Sequence, residues 1–398
     1  MRILIANDAA AGGGGVESYL AAIIPALAAR GHRLAFLHHN PRSEEGPTRL
    51  AHAGMPDISV SDDGMDGAIG SVREWRPDVC FSHNMRALEV EEQLTSRWPV
   101  VKMMHGYFGT CIGGQKAHTF PGVVPCSRTF GATCLALYLP RRCGQLRPLL
   151  MLEQFGWASR QRALFDRYAH VVVASGHMAG EYARHGIGPD RLTAAPLFPT
   201  DGDPAVPRPL PDDPTVVFAG RMTRIKGGAV LVRAVATANR LMQAPLRLVF
   251  AGDGPARHHW RDLASRVGVG AMFTGWLTGP ERTALLRSAS LVAVPSLWPE
   301  PFGLVGLEAA SHGVPAIAFD VGGVREWLQD DVGGRIVREV NDADALGRTI
   351  ASMCSTPGEL ARLGEGARRA AHALTITAHL DVLARVFSRA IGSRAALT

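Results

Sequence analysis

"PLFPTDGDPAVPRPLPDDP", residues 196–214, places seven prolines in nineteen positions. Each proline fixes φ and removes a backbone donor, so this run is neither a helix interior nor a central strand. It reads as a stiff linker and a domain boundary. On its N-terminal side, short apolar segments alternate with helix-like ones: "RILIAN" (2–7), "RLAFLH" (33–38), "DVCFSH" (78–83), "PVVKMMH" (99–105) and "HVVVAS" (170–175). On its C-terminal side the alternation restarts with "TVVFAG" (215–220), "LRLVFAG" (246–252), "AMFTG" (271–275), "LVAVPS" (291–296) and "PAIAFD" (315–320). Apolar strands alternating with helices imply parallel sheets covered on both faces. The expected fold class is therefore α/β, with two facing Rossmann-like domains and a cleft between them. The expected boundaries are 1–200 for the first domain, with an insertion at 106–147, then a linker at 201–214 and a second domain at 215–375. A terminal helix over 376–398 is expected to pack back toward the first domain.

Composition narrows the class. The 398 residues are 46% hydrophobic and 20% charged, as in a globular protein, and no apolar run reaches the length of a membrane span. "MRILIAND" is too short an apolar run for a secretory leader and reads as a first strand. The expected location is cytoplasmic, with peripheral contact at the inner face of the cell membrane. Net charge is +6, which suits an anionic substrate or membrane surface. The basic residues form no run, so nucleic acid is not an expected partner. Only three of the 42 basic residues are lysine: Lys102, Lys116 and Lys226. Where positive charge is nearly always arginine, each lysine marks a position of interest.

Ligands of doubly wound sheets bind beyond the carboxyl ends of the strands, and the polar motifs fall there. In "FAGRMTRIKGG" (218–228) Arg221 and Lys226 lie in a loop before a helix. Two cations beside a helix N-terminus suit a diphosphate. In "EPFGLVGLEA" (300–309) Glu300 and Glu308 stand among apolar residues, where an unpaired carboxylate is costly. Glu308, in the first turns of the next helix, suits vicinal hydroxyls such as those of a ribose, and Glu300 suits a sugar ring. An acid near a helix N-terminus is also favoured on its own account by about 0.3–1 kcal/mol. The loop "AAAGGGGVESYL" (9–20) brings backbone amides forward. A nicotinamide dinucleotide would want an acid at the end of the second strand, and "LAFLHHN" has none. "VFAGDGPARHHW" (249–260) and "FTGWL" (273–277) are further strand-to-loop junctions.

Together these pieces resemble the family 4 glycosyltransferases, retaining enzymes of the GT-B architecture. The matching stretches run from "GGGGVESYL" through "PVVKMMHG" and "GRMTRIKGG" to "EPFGLVGLEAASHGVPAIAFDVGGVREWL", covering residues 1 to about 375. The resemblance implies a nucleotide-diphosphate sugar donor, a UDP- or GDP-sugar, and a glycan or lipid-linked acceptor. It implies Glu300, His105, Arg221 and Lys226 as the catalytic set. Donor contacts would come from Gly14, Gly15, Phe302, Gly303, Leu304 and Glu308, with Trp276 and Leu277 bordering the base. No metal is implied for catalysis. "DGD" (201–203) spells an Asp-x-Asp but lies in the linker. Two alternatives remain: a non-catalytic nucleotide- or glycan-binding protein of the same fold, and a nucleotide-sugar epimerase.

Some features depart from the family pattern. "PLFPTDGD" stands where an Asn-Gly-x-Asp turn is common, and Gly106 follows His105 where an Asp is common. The insertion holds Cys111, Cys126, Cys134 and Cys143. Without C-x2-C pairs, these read as reduced thiols packing a loop, with a structural zinc site as the alternative. His83 reads as a hydrogen-bonded structural residue, and His38, His39, His258 and His259 as surface residues.

Overall fold

The computed structural model describes residues 1–46, 48–200, 213–356 and 358–395, with side chains to residue 393. The linker and "DGD" therefore fall largely or wholly outside the described residues. The chain divides into two compact units: Met1–Lys116, Ser127–Pro196 and Ile376–Thr398 form one, and Ala117–Cys126 with Leu197–Thr375 form the other.

The first unit opens with β1 (Arg2–Asn7), α1 (Gly15–Ala29), β2 (Arg33–His38), β3 (Asp57–Ser59) and α2 (Val60–Trp75). It continues with β4 (Val79–Ser82), α3 (Leu88–Arg97) and β5 (Val100–Met104). The insertion follows. It carries a hairpin, β6 (Ala117–His118) and β7 (Val124–Pro125), which groups with the second unit. After it come α4 (Thr133–Tyr138), α5 (Pro148–Ala163), β8 (His170–Val173), α6 (Gly176–Ala183) and β9 (Leu192–Ala194). The seven-stranded sheet runs β3-β2-β1-β4-β5-β8-β9 with every pairing parallel. Its central strands are apolar without alternation, and Ile3, Leu4, Ile5, Phe36, Phe81, Val101 and Val172 are sealed from solvent. That is what burial on both faces demands. On α1 the buried stripe is Tyr19, Leu20, Ile23, Ile24 and Leu27, a helical period laid on the sheet.

The second unit holds β10 (Thr215–Ala219), α7 (Gly228–Met242), β11 (Arg247–Ala251), α8 (Arg257–Arg266), β12 (Ala271–Gly275) and α9 (Gly279–Ser288). It then adds β13 (Leu291–Val294), α10 (Leu304–Ser311), β14 (Ala316–Phe319), β15 (Gly334–Val337), α11 (Ala343–Ser355) and α12 (Glu359–His372). Six parallel strands lie in the order β12-β11-β10-β13-β14-β15. The last helix, α13 (Ile376–Ala395), belongs to the first unit. There it buries Leu380, Leu383, Val386, Phe387 and Ala390, with Phe387 edge-on to Phe81.

In both sheets the first strand lies inside, and the chain turns outward on either side of it. That places a topological switch point between β1 and β4 in the first unit and between β10 and β13 in the second. No helix among the described residues is long and apolar enough to cross a membrane. His38 corrects an expectation. It is fully buried, with Nδ1 2.6 Å from the Asn40 carbonyl and Nε2 2.7 Å from Asp57 Oδ1. The doubled histidine looked polar in sequence, but the first of the two is the last residue of a buried strand.

Candidate functional site

At the switch point of the second unit, the loops after β10 and β13 meet. A short turn, Arg224–Lys226, leads from β10 into α7. Gly227 joins them at φ 72°, and a Cβ there would lie 1.8 Å from the Pro295 carbonyl oxygen. Only glycine lets the two loops approach so closely. Lys226 Nζ donates to Glu300 Oε1 at 2.5 Å. The same oxygen accepts from Trp298 Nε1 at 2.9 Å and from the Ser296 hydroxyl. The lysine ammonium also lies 5.3 Å from the centre of the Trp298 ring, within cation–π range. Glu300 is buried, and this set of donors is what makes an ionised acid tolerable there. Behind it, Gly323 N–H donates to the Glu300 carbonyl at 2.7 Å, and a Cβ on Gly322 (φ 57°) would sit 2.1 Å from that oxygen. The glycine turn after β14 thus locks the backbone of the acid loop.

Arg221, in the same loop as Lys226, is exposed, and its guanidinium makes no hydrogen bond or ion pair with the described residues. Phe302 is buried, and its carbonyl accepts from Trp327 Nε1 at 2.7 Å. Gly303 is the N-cap of α10, and Leu304 opens that helix. Glu308 is buried on α10, where Oε1 accepts from Thr200 Oγ1 at 3.0 Å and from Arg282 Nη2 at 3.2 Å. Trp276, just beyond β12, is 67% exposed, and Leu277 is half-buried. Sequence reasoning named the two acids and two cations; it did not name Arg282 and Thr200, which meet Glu308, or Ser296 and Trp298, which meet Glu300. Ser296 and Trp298 had a signal, since they lie four and two residues before Glu300 in "SLWPE". Arg282 had none, being 26 residues ahead of Glu308 on another helix.

The corresponding edge of the first unit is of another kind. Gly14 caps α1, Gly15 begins it, and both are exposed. Glu17 of the first turn folds back so that its Oε2 would lie 2.6 Å from a Cβ on Gly14. His83, after β4, and His105, after β5, are joined through Nδ1 and Nε2 at 3.0 Å. The Tyr19 ring lies within 6 Å of the rings of both, and also of His379 on α13. His379 Nδ1 lies 2.9 Å from the Pro196 carbonyl, which can only accept, so Nε2 is left to accept from the Tyr19 hydroxyl at 2.7 Å. Burial pushes His105 down to about 3, with Lys102 and His379 adding to the effect. Burial likewise pushes His379 to about 4 and takes His83 well below its ordinary value. These imidazoles are neutral at physiological pH. Beneath them, Lys102 Nζ pairs with Glu91 Oε1 at 2.5 Å and donates to the Ser82 hydroxyl and the His83 carbonyl.

The four insertion cysteines are not gathered. Cys134 and Cys143 pack on an apolar cluster of Ile112, Phe130, Tyr138 and Ala158, while Cys126 groups with the second unit. All four are free thiols, and no group of three or more His, Cys, Asp or Glu among the described residues is placed to hold a metal. The third lysine, Lys116, pairs with buried Glu181 at 2.5 Å and anchors the insertion through the Arg128 carbonyl.

Two doubly wound parallel sheets in one chain, each with polar loops at its switch point, are the arrangement of the GT-B class, to which glycosyltransferases belong. Residues 13–198 match the model of Glycosyltransferase Family 4 and residues 203–370 that of Glycosyl transferases group 1, and the chain belongs to this family. It is similar to a D-inositol 3-phosphate glycosyltransferase of Stackebrandtia nassauensis, 34% identical over 52% of this chain and 51% of that one. It is also similar to an uncharacterised glycosyltransferase of Methanocaldococcus jannaschii, 37% identical over 31% of each. The chain thus spans about half or less of the length of these curated relatives. Among solved structures, sucrose-phosphate synthase from Thermosynechococcus elongatus shares the fold at a TM-score of 0.68 and 20% identity, over 98% of this chain and 99% of that one. Anabaena HepE in complex with UDP and glucose does so at 0.67 and 18%, over 98% and 100%.

Proposed function

We propose that the protein is a retaining glycosyltransferase that moves a sugar from a nucleoside-diphosphate donor to a glycan or lipid-linked acceptor. The observation that carries this is the Lys226–Glu300 pair at the β10–β13 switch point, with exposed Arg221 in the same loop. Departure of the leaving group builds negative charge on the diphosphate, and Arg221 and Lys226 stabilise it. Glu300 positions the donor sugar, and Glu308 accepts from the ribose hydroxyls. The backbone at Phe302, Gly303 and Leu304 meets phosphate and sugar, and Trp276 and Leu277 border the base. Gly14 and Gly15 approach the diphosphate, and His105, held neutral, lies beside the reacting sugar. The acceptor attacks from the side the leaving group departs, with a phosphate oxygen taking its proton, so no protein nucleophile is assigned. The complex of the Anabaena neighbour with UDP and glucose supports a uridine donor as the first to try.

Peripheral contact with an anionic membrane is part of the proposal. Exposed Leu146, Leu149 and Leu152 stand beside exposed Arg141, Arg142 and Arg147, and Leu149 is 77% exposed. Apolar and basic residues together suit an anionic surface. Co-sedimentation with vesicles that is indifferent to anionic lipid would remove this part.

Thermal stability with UDP, GDP, ADP, TDP, CMP and NAD, each in excess, tests the donor site. A ligand at 100 times its dissociation constant adds about 2.7 kcal/mol. A shift with one nucleoside diphosphate is expected, and a shift with NAD alone would overturn the reading. Labelled donor then separates transfer from epimerisation, and absence of both leaves a binding protein.

A further inference from the structure

Glu308 is only 2% exposed. An ionised carboxylate so far from water needs a partner of opposite charge with good geometry. Lys226 is committed to Glu300, so the first cation of the site does not serve. Arg282 does: its Nη2 donates to Glu308 Oε1 at 3.2 Å, and its side chain is 32% exposed. The helix that carries it, α9, is held at its start by a capping box, with Thr278 N–H and hydroxyl both donating to Glu281 Oε2 at 2.8 Å. Arg282 lies one residue after that capping acid, in the first turns of α9, where the backbone is best fixed. Thr200 Oγ1 approaches the same carboxylate oxygen, Oε1. Both donors meet Glu308 at Oε1.

We propose that Arg282 is a positioning residue for donor recognition, keeping Glu308 ionised and turned so that its carboxylate accepts from the vicinal hydroxyls of the nucleotide ribose. The proposal rests on the donor reading above and deepens it. Remove the guanidinium, and the buried acid either takes up a proton or swings away. Either change costs the ribose its acceptor and leaves the diphosphate loop at Arg221 and Lys226 untouched. Arg282 thus governs how strongly the protein distinguishes a ribose from a deoxyribose, and not how it holds phosphate.

Calorimetric titration of UDP, GDP and ADP against their 2′-deoxy counterparts tests this. The wild-type protein should favour the ribonucleotide of its preferred base by about tenfold or more, the worth of a hydrogen bond to a charged group. Arg282→Met should bring that ratio close to one while affinity for the deoxynucleotide changes little. In a Glu308→Gln background, Arg282→Met should add nothing further. Should Arg282→Met fail to fold, Arg282→Gln keeps a donor without the charge and carries the same comparison. A ratio equal to wild type in either variant, or equal weakening of both nucleotides, would overturn the assignment of Arg282 alone. Failure of the wild-type protein to bind any of the nucleotides would overturn the donor reading and this inference with it.

Discussion

Lys102–Glu91 in the first unit and Lys226–Glu300 in the second are the same chemical pair at the same distance, 2.5 Å. Their surroundings differ. Lys102 and Glu91 are sealed, with side chains 3% and 0% exposed. Lys226 is 28% exposed and shares its loop with Arg221, an exposed guanidinium that pairs with none of the described residues. One pair is closed and ties β5 to α3. The other, at the β10–β13 switch point, is the pair proposed to meet the donor. Burial of the cation, more than the pair itself, separates the sealed pair from the proposed site.

The largest expected effect comes from breaking the sealed pair. Lys102→Met leaves Glu91 buried and unpaired and should cost about 3–5 kcal/mol, read by urea unfolding. Replacing Glu91 with Leu as well should recover most of it. If Lys102→Met unfolds at the wild-type midpoint, the pair is not structural. Next comes the open pair. Lys226→Ala should lower turnover by about 10²–10³-fold, as loss of one preorganised stabilising group does. Arg221→Ala should also lower turnover strongly, but with stability within about 0.5 kcal/mol of wild type, since it touches little. Wild-type rates in both would break the comparison.

The smallest effect concerns pH. An imidazole in the unfolded chain titrates near 6.5, whereas folded His379 is held at about 4 and His105 at about 3. Between these values the unfolded chain binds protons that the folded one refuses. Stability is therefore full above pH 6.5, falls as pH drops toward 4, and falls less steeply below that, once His379 has taken its proton and His105 has yet to do so. His379→Gln should remove about one proton from the slope of stability against pH in that window. An unchanged slope would mean that His379 is not buried neutral. The second unit has no such cluster in its switch-point loops, so its variants should leave the slope alone.

The strand–loop–helix rhythm made the two sheets legible, because parallel strands buried on both faces must be apolar throughout. Glu300, Glu308 and Lys226 were legible because each breaks a local expectation: acids in an apolar run, and a lysine in a chain that otherwise uses arginine. By the same rule Lys102 and Lys116 were marked, and each proves to be paired with a buried glutamate. Arg282 is one of many arginines on an ordinary helix, so nothing in the sequence distinguished it. The Tyr19–His379 contact joins residues 360 positions apart, beyond the reach of any local pattern. The cysteine spacing was equally mute, since it could not say that Cys126 would group with the other unit.

Helix α13 carries a consequence for synthesis. The first unit leaves off at Pro196 and resumes only at Ile376. A ribosome adding about 5–20 residues per second needs roughly 10–40 s to make what lies between. Through that interval the groove that will take Leu383 and Phe387 is open, and Tyr19 waits for His379. The unit begun first is therefore completed last, and the nascent chain spends that time with an apolar surface for chaperones to shield.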